Sequence, residues 1–218
     1  MPRRALRKLD PALDLDRHYK EFEELPRAWD MRALFSREAP LEVEVGSGKG
    51  LFLANAAARN PAHNFLGIEL ALKYARYIGG RLALQNLPNA VAVHGNALRI
   101  FREILPNSSL AAVHVYFPDP WWKKRHKKRR VFNEAFLRDA ERTLAPGGTL
   151  HFWTDVEEYF HSTLALVAEV TNFAGPFDVP EPPSEHDLDY RTHFERRTRK
   201  SEQPVYRAEF RKRNDKRG

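Results

Sequence analysis

From Pro40 onward, short apolar runs alternate along the chain with longer amphipathic stretches. The short runs are rich in β-branched and aromatic residues, which predicts strands, and each is followed by apolar positions at helical spacing. The five predicted strands are Leu41–Val45, Asn64–Leu70, Ala90–Gly95, Leu110–Phe117 and Thr149–Asp155. This alternation predicts an α/β fold in which helices cover both faces of a parallel sheet.

Both ends of the chain depart from this rhythm. Residues 18–29 and 31–35 predict short helical pieces, whereas the Pro- and acid-rich residues 176–190 predict a loop. The stretch after that loop predicts a short helix and a final strand. We expect residues 1–16 to form a flexible basic arm and residues 17–218 to form a single domain.

Positive charge is concentrated in one segment. The chain carries 36 Lys and Arg against 29 Asp and Glu, and Lys123–Arg130 holds seven of the cations in eight residues. Such a run next to a site at the edge of a sheet predicts contacts with nucleic-acid phosphates, with a steep dependence on salt. The predicted phosphate contacts are Lys124, Arg125, Lys127, Lys128, Arg129 and Arg130.

Composition excludes several classes of site. Cysteine is absent, which excludes disulfides, thiolate catalysis and cysteine-based zinc sites and fits a reducing cytoplasm. The nine histidines are scattered without a ligand set, so no metal is expected. The N-terminus is charged and lacks an apolar segment, and no run is long enough to span a membrane, so we expect a cytoplasmic protein.

A glycine turn follows the first predicted strand, in the sequence Glu44–Gly50. A dinucleotide-binding turn needs Gly or Ala where Leu51 stands, and a phosphate-binding P-loop needs Gly at Val43. An acid before the turn would repel pyrophosphate but would favour a cationic ligand. Glu69 ends the second strand, where a carboxylate can accept hydrogen bonds from ribose hydroxyls. Asn96 follows the third strand, where an amide can bind the edge of adenine.

The fourth strand ends in the segment Phe117–Trp122. Two prolines fix the backbone on both sides of Asp119, which makes the segment stiff. Tryptophan beside a rigid acid suits a pocket for a nucleic-acid base, on which the indole can stack.

These blocks resemble the bacterial tRNA (guanine-N7-)-methyltransferase family. The resemblance covers about Arg17 to Arg213 and is most specific in YFPDPWWKKRHKKRRVF, with EVEVGSGKG, GIEL, PGGTLHFWTD and THFERR in the same order. It implies a Rossmann-like fold with a mostly parallel, seven-stranded sheet. It also implies transfer of a methyl group from S-adenosyl-L-methionine to N7 of guanosine 46 in the variable loop of tRNA.

The resemblance also implies roles for individual residues. Asp119 is the expected active-site acid. The positions expected to bind the methyl donor are Glu44, Gly46, Gly48, Gly50, Glu69, Asn96 and Asp119. Those expected to contact the substrate are Lys123, Asp155, Thr192, Phe194 and Glu195. The chain departs from the family pattern at Asn96, where the family often has Asp, and at His193, where it usually has Lys or Arg.

Alternatives remain open from the residues alone. A related enzyme could methylate an exocyclic amino group of RNA, since a proline-framed polar residue also serves such enzymes. A catalytically inactive RNA-binding module could retain the fold, although the intact glycine turn with Glu44, Glu69 and Asp119 argues against it. A nicotinamide oxidoreductase is disfavoured by Leu51 and the neighbouring cations. Monomer and homodimer are equally compatible with the sequence.

Overall fold

The computed structural model describes residue 6 and residues 8–121, 124–180 and 190–214, and the side chains at 124, 127 and 128 fall outside the description. Eight strands join in one sheet. In chain order they are β1 (Tyr19–Glu21), β2 (Leu41–Val45), β3 (Asn64–Glu69), β4 (Ala90–His94), β5 (Leu110–Tyr116), β6 (Leu144–Thr154), β7 (Ala174–Phe177) and β8 (Tyr206–Arg211).

The helices connect and flank these strands. They are α1 (Met31–Phe35), α2 (Leu51–Arg59), α3 (Leu72–Leu84), α4 (Ala97–Glu103), α5 (Glu134–Thr143), α6 (Glu157–Val170) and α7 (His193–Lys200), with 3-10 helices at Phe22–Glu24 and Lys124–Arg129. None of the helices in the described ranges is long and apolar enough to cross a membrane.

The strand order is β1-β4-β3-β2-β5-β6-β8-β7. Strands β1 to β6 pair in parallel, and β8 runs antiparallel to both β6 and β7. From β2 the chain builds outward to β3 and β4, and then returns to place β5 on the other side of β2. The order therefore reverses between β2 and β5, and ligands of such sheets bind beyond the carboxyl ends of the strands at this point.

The two faces of the sheet are covered by different helices. Val43 and Val45 of β2 belong to an apolar core that includes Phe101 of α4, Phe136 of α5 and Val167 of α6. The opposite face packs against α2 and α3 through a smaller cluster, and Phe194 of α7 packs against Phe117 directly after β5. Helices therefore cover both faces, as the sequence predicted.

Several predicted details need correction. The sheet has eight strands rather than seven, because Tyr19–Glu21 pairs in parallel with β4 instead of continuing a helical piece. The loop predicted for residues 176–190 begins too early, because β7 extends to Phe177 and pairs with β8. In addition, β6 spans Leu144–Thr154 and so begins before the predicted Thr149. The predicted helix Met31–Phe35 and the final helix and strand are confirmed.

Candidate active site

The glycine turn joins β2 to α2 at the reversal point of the sheet. Gly46, Gly48 and Gly50 all have positive φ, between 56° and 78°, which glycine adopts without strain. At Gly50 a Cβ would lie 2.8 Å from Cγ2 of Ile78, so a larger residue cannot fit without movement. The turn therefore brings backbone, rather than side chains, to the carboxyl end of β2.

Glu69 fixes the shape of this turn. Its Oε2 accepts a hydrogen bond from the Gly48 N–H at 2.8 Å, and its Oε1 accepts one from the Ala71 N–H at 2.9 Å. Each carboxylate oxygen has two acceptor sites, so both oxygens retain capacity for a ribose diol. The residue lies at the end of β3, where the sequence predicted a ribose-binding acid.

Glu44 is buried beneath the turn, with 3% of its surface exposed. Burial raises the pKa of its carboxyl to about 8, the nearby charge of Glu69 adds to the shift, and a hydrogen bond with Ser47 opposes it. Its Oε2 has no hydrogen-bond partner among the described residues. A cationic ligand beside this carboxyl would supply the partner and favour the ionised form.

Asn96 follows β4 at the same edge of the sheet. Its Oδ1 accepts a hydrogen bond from the Leu98 N–H at 2.9 Å and so caps α4. The side chain is exposed, which leaves it accessible to a ligand at this edge.

The loop after β5 carries Asp119, whose side chain is exposed. Phe117 and Trp121 on either side have φ of 50° and 45°, in the left-handed region that such residues rarely adopt. The Nε of Arg130 donates a hydrogen bond of 2.7 Å to the Pro120 carbonyl. This contact holds the strained turn in place.

Arg130 itself departs from the predicted phosphate contacts. It is 8% exposed, and its guanidinium lies 4.5 Å from the ring centroid of Tyr159 in α6. Because its side chain points into the fold and is committed to the Asp119 loop, its placement argues against a phosphate contact. Arg125 and Arg129 are exposed, and Arg129 stacks 5.1 Å from the ring centroid of Trp121.

Some of the remaining predicted substrate and phosphate contacts lie outside the residues that the structure describes. Lys123 lies outside the described residues, as do the side chains of Lys124, Lys127 and Lys128. Asp155 is half-buried between β6 and α6, at the carboxyl edge of the sheet.

Helix α7 and its cap carry the predicted contacts Thr192, Phe194 and Glu195, and Phe194 lies beside the Asp119 loop. The ring of exposed Phe194 lies 4.9 Å from that of Phe117. Thr192 caps the helix by accepting a hydrogen bond of 2.9 Å from the Glu195 N–H, and Glu195 accepts one of 2.7 Å from the Arg191 N–H. Thr192 and Glu195 thus fix the helix start, and Phe194 is the member of the block that faces solvent beside the loop.

Sequence reasoning missed a buried polar network under the site. The Nε2 of His114 lies 2.7 Å from Oε2 of Glu42, and its Nδ1 lies 2.9 Å from the Tyr116 hydroxyl. That hydroxyl accepts a hydrogen bond of 2.8 Å from Nη1 of Arg191. The ring of His151 stacks on that of His114 at 4.8 Å. Polar residues at alternate positions in otherwise apolar strands were the available signal.

Chemically, this edge offers acids for a cationic nucleoside ligand and an exposed acid on a stiff aromatic loop. Within the described ranges, no group of three His, Asp or Glu side chains is arranged to hold a metal ion. The arrangement suits a reaction that depends on alignment and charge stabilisation.

Known proteins resemble this chain over most of its length. A family model described as "Putative methyltransferase" matches residues 38–208. A relative from Rhodopirellula baltica, named tRNA (guanine-N(7)-)-methyltransferase, is 50% identical over 220 residues, which cover 98% of this chain and 81% of that protein.

Solved structures confirm the fold. The 16S rRNA methyltransferase KamB matches with a TM-score of 0.62 at 17% identity, over 84% of this chain and 92% of that one. A SAM-dependent methyltransferase from Aquifex aeolicus matches with a TM-score of 0.55 at 12% identity, over 81% and 84% of the two chains. The Rossmann-like methyltransferase fold predicted from the sequence is therefore confirmed.

Proposed function

Because this chain belongs to the tRNA (guanine-N7-)-methyltransferase family, we propose that it methylates N7 of guanosine 46 in the variable loop of tRNA. The methyl donor is S-adenosyl-L-methionine. The observation that carries the proposal is the convergence of Glu44, Glu69 and the Asp119 loop at the reversal point of the sheet, in a chain half identical to a tRNA methyltransferase.

The residues fit the methyl donor. Glu69 retains acceptor sites for the ribose hydroxyls, and Asn96 lies at the edge where adenine would bind. The Oε2 of Glu44, which has no hydrogen-bond partner among the described residues, suits a positively charged group of the donor. When bound, S-adenosylmethionine supplies an electrophilic methyl group on a sulfonium.

The reaction needs alignment more than proton transfer. Guanine N7 has a free lone pair, so a bond from N7 to the methyl carbon forms as the carbon–sulfur bond breaks. The electron pair of that bond stays on sulfur, and the positive charge moves to the guanine ring. The exposed carboxylate of Asp119 stabilises this charge or holds the base through its N1–H and amino group. Its stiff loop keeps the acid in position.

Around this centre we assign the substrate contacts predicted from the sequence. Phe194, beside Phe117, offers an exposed ring on which a base can stack. Thr192 and Glu195 fix the helix that carries it, and Lys123 and Asp155 complete the proposed set. The tRNA phosphates would bind Lys124, Arg125, Lys127, Lys128 and Arg129, and the enzyme would act in the cytoplasm.

Incubation with labelled S-adenosylmethionine and unmodified tRNA, followed by aniline cleavage at 7-methylguanosine, tests the proposal. We expect labelled tRNA that is cleaved at position 46, and no labelling of a tRNA with adenosine there. Label without cleavage would favour methylation of an amino group. Absence of label together with absence of donor binding would favour an inactive RNA-binding module.

The variant Asp119→Ala examines the active-site assignment. Loss of an acid that stabilises the developing charge should lower turnover by at least about 100-fold. Affinity for the donor, measured by calorimetry, should fall much less. Full activity in this variant would contradict the role of Asp119.

A further inference from the structure

Arg191 is a half-buried arginine whose guanidinium forms no ion pair with any residue that the structure describes. Its Nη1 donates a hydrogen bond of 2.8 Å to the Tyr116 hydroxyl. Its guanidinium carbon lies 5.1 Å from the ring centroid of Trp153 and 5.9 Å from that of Phe52. A guanidinium held in one place by aromatic rings, with most of its donors uncommitted to any described residue, is suited to an anionic ligand.

The arginine lies next to the start of α2. Phe52 is in the first turn of this nine-residue helix, which begins directly after the glycine turn. The cap residue Gly50 contributes no side-chain hydrogen bond to the first turn. The first N–H groups of a helix lack partners within it and carry partial positive charge. Arg191 and the helix start are therefore both suited to an anion near Phe52.

One acid of the site, Glu44, lies on the same side of the sheet as the hydrogen-bond partner of Arg191. Tyr116 lies on β5 next to β2, and its side chain is on the same face of the sheet as Glu44. Burial raises the pKa of the Tyr116 hydroxyl, the charge of Arg191 opposes the shift and that of Glu44 adds to it. The Tyr116 hydroxyl is therefore close enough to both Arg191 and Glu44 for their charges to change its pKa.

The methyl donor matches this pairing. Its methionine part carries an ammonium and a carboxylate on one carbon, and that carboxylate is its one anionic group. Glu44 suits the ammonium, and the carboxylate then needs a cation or helix N–H groups nearby.

We propose that Arg191, held by Tyr116, binds the carboxylate of the methionine part of S-adenosylmethionine while Glu44 binds its ammonium group. The inference rests on the methyl donor of the proposed function and not on the choice of guanine N7. It makes Arg191 a cofactor-binding residue contributed by the segment that leads into α7.

Calorimetry with two ligands tests the assignment. The probes are S-adenosylmethionine and its decarboxylated analogue, which lacks the carboxylate and is otherwise the same. For Arg191→Met we expect binding of S-adenosylmethionine to weaken by about 10- to 100-fold, while binding of the analogue is unchanged. Arg191→Lys should restore part of the difference, since it keeps the charge and loses the planar fork.

Two further variants control for structural effects. Arg138→Met makes the same change at an exposed arginine of α5 and should leave both affinities at the wild-type values. Tyr116→Phe keeps the ring and removes the hydroxyl, so it should weaken S-adenosylmethionine binding selectively but less than Arg191→Met.

The outcomes separate this inference from the proposed function. Equal weakening of both ligands, or no weakening of either, in Arg191→Met and Tyr116→Phe would overturn the role of Arg191. If wild-type protein binds neither ligand, the methyl donor is wrong and the inference falls with it. If the selective loss occurs but tRNA carries a different methylated base, the inference stands and the proposed target fails.

Discussion

The two faces of the sheet differ in what they bury. Under α4, α5 and α6 the core is mostly apolar, with rings such as Phe101 and Phe136 packed 5.2 Å apart. Under α2 and α7 the same strands present Glu44, His114 and His151, all largely shielded from water. One face is therefore built as an ordinary core, whereas the other buries ionisable groups that are costly unless they are paired or neutral.

The polar face of the sheet carries the residues of the candidate site. Each strand of β2, β5 and β6 contributes apolar residues to one face and polar ones to the other, because successive side chains alternate. The polar face leads at its carboxyl edge to the glycine turn and the Asp119 loop. The apolar face should therefore govern the free energy of unfolding, and the polar face should govern ligand binding and the response to pH.

The largest effect is expected for Phe136→Ala on the apolar face. Phe136 is fully buried against Phe101 and Phe132, so its loss leaves a cavity. We expect the free energy of unfolding to fall by about 3 to 5 kcal/mol. Urea denaturation measures it, and the folded fraction should still bind S-adenosylmethionine with wild-type affinity. A weakened affinity would show that the faces are not separable.

On the polar face, Glu44→Gln removes a buried group whose protonation depends on pH. The folded pKa of about 8 exceeds the value of 4.5 expected when unfolded, so between these values the folded state holds a proton that the unfolded state has lost. Stability contributed by Glu44 is therefore complete below pH 4.5 and is lost as pH rises toward 8, at about 1.4 kcal/mol per pH unit.

Glutamine cannot titrate, so the variant should gain about 2 to 3 kcal/mol relative to wild type between pH 6 and pH 8. Urea denaturation at several pH values without the donor measures this difference. A constant difference across the range would contradict the buried, protonated state of Glu44.

His151→Gln should have the smallest effect, on the acid side. Burial lowers the pKa of His151 to about 2, and the charges of His114 and Arg191 add to the shift. Below about pH 6.5 the unfolded state binds a proton that the folded state does not, so stability is lost as pH falls. Between pH 6.5 and 5.5 the variant should lose about 1 kcal/mol less than wild type. If the free energies of unfolding of the two proteins fall equally over this pH range, the prediction is wrong.

Much of the fold follows from local patterns. Strands β2 to β5 were predicted to within one residue of their ends, because β-branched runs between glycine and proline signals are strong. Strand β6, in contrast, begins at Leu144, well before the predicted Thr149. The strand Tyr19–Glu21 was not predicted. Its three half-buried residues carry no periodic signal, and their conformation depends on pairing with β4. The strand Ala174–Phe177 likewise depends on its partner β8.

The candidate site also has residues that the sequence predicts and contacts that it does not. Glu44, Glu69 and Asp119 follow strands, so their common edge was predictable once a parallel sheet was assigned. The stacking of His114 on His151 could not be predicted, because it depends on the register of β5 against β6. Arg130 was assigned to the basic run by its neighbours in sequence, whereas its hydrogen bond to the Pro120 carbonyl turns it inward.

The position of β8 has a consequence for biosynthesis. Residues 206–211 form a strand that lies between β6 and β7, so β6 keeps an unpaired edge until they leave the ribosome. An unpaired edge is a template for pairing with other chains. The strand that closes it follows α7, so Arg191 and the strand that protects this sheet edge leave the ribosome close together.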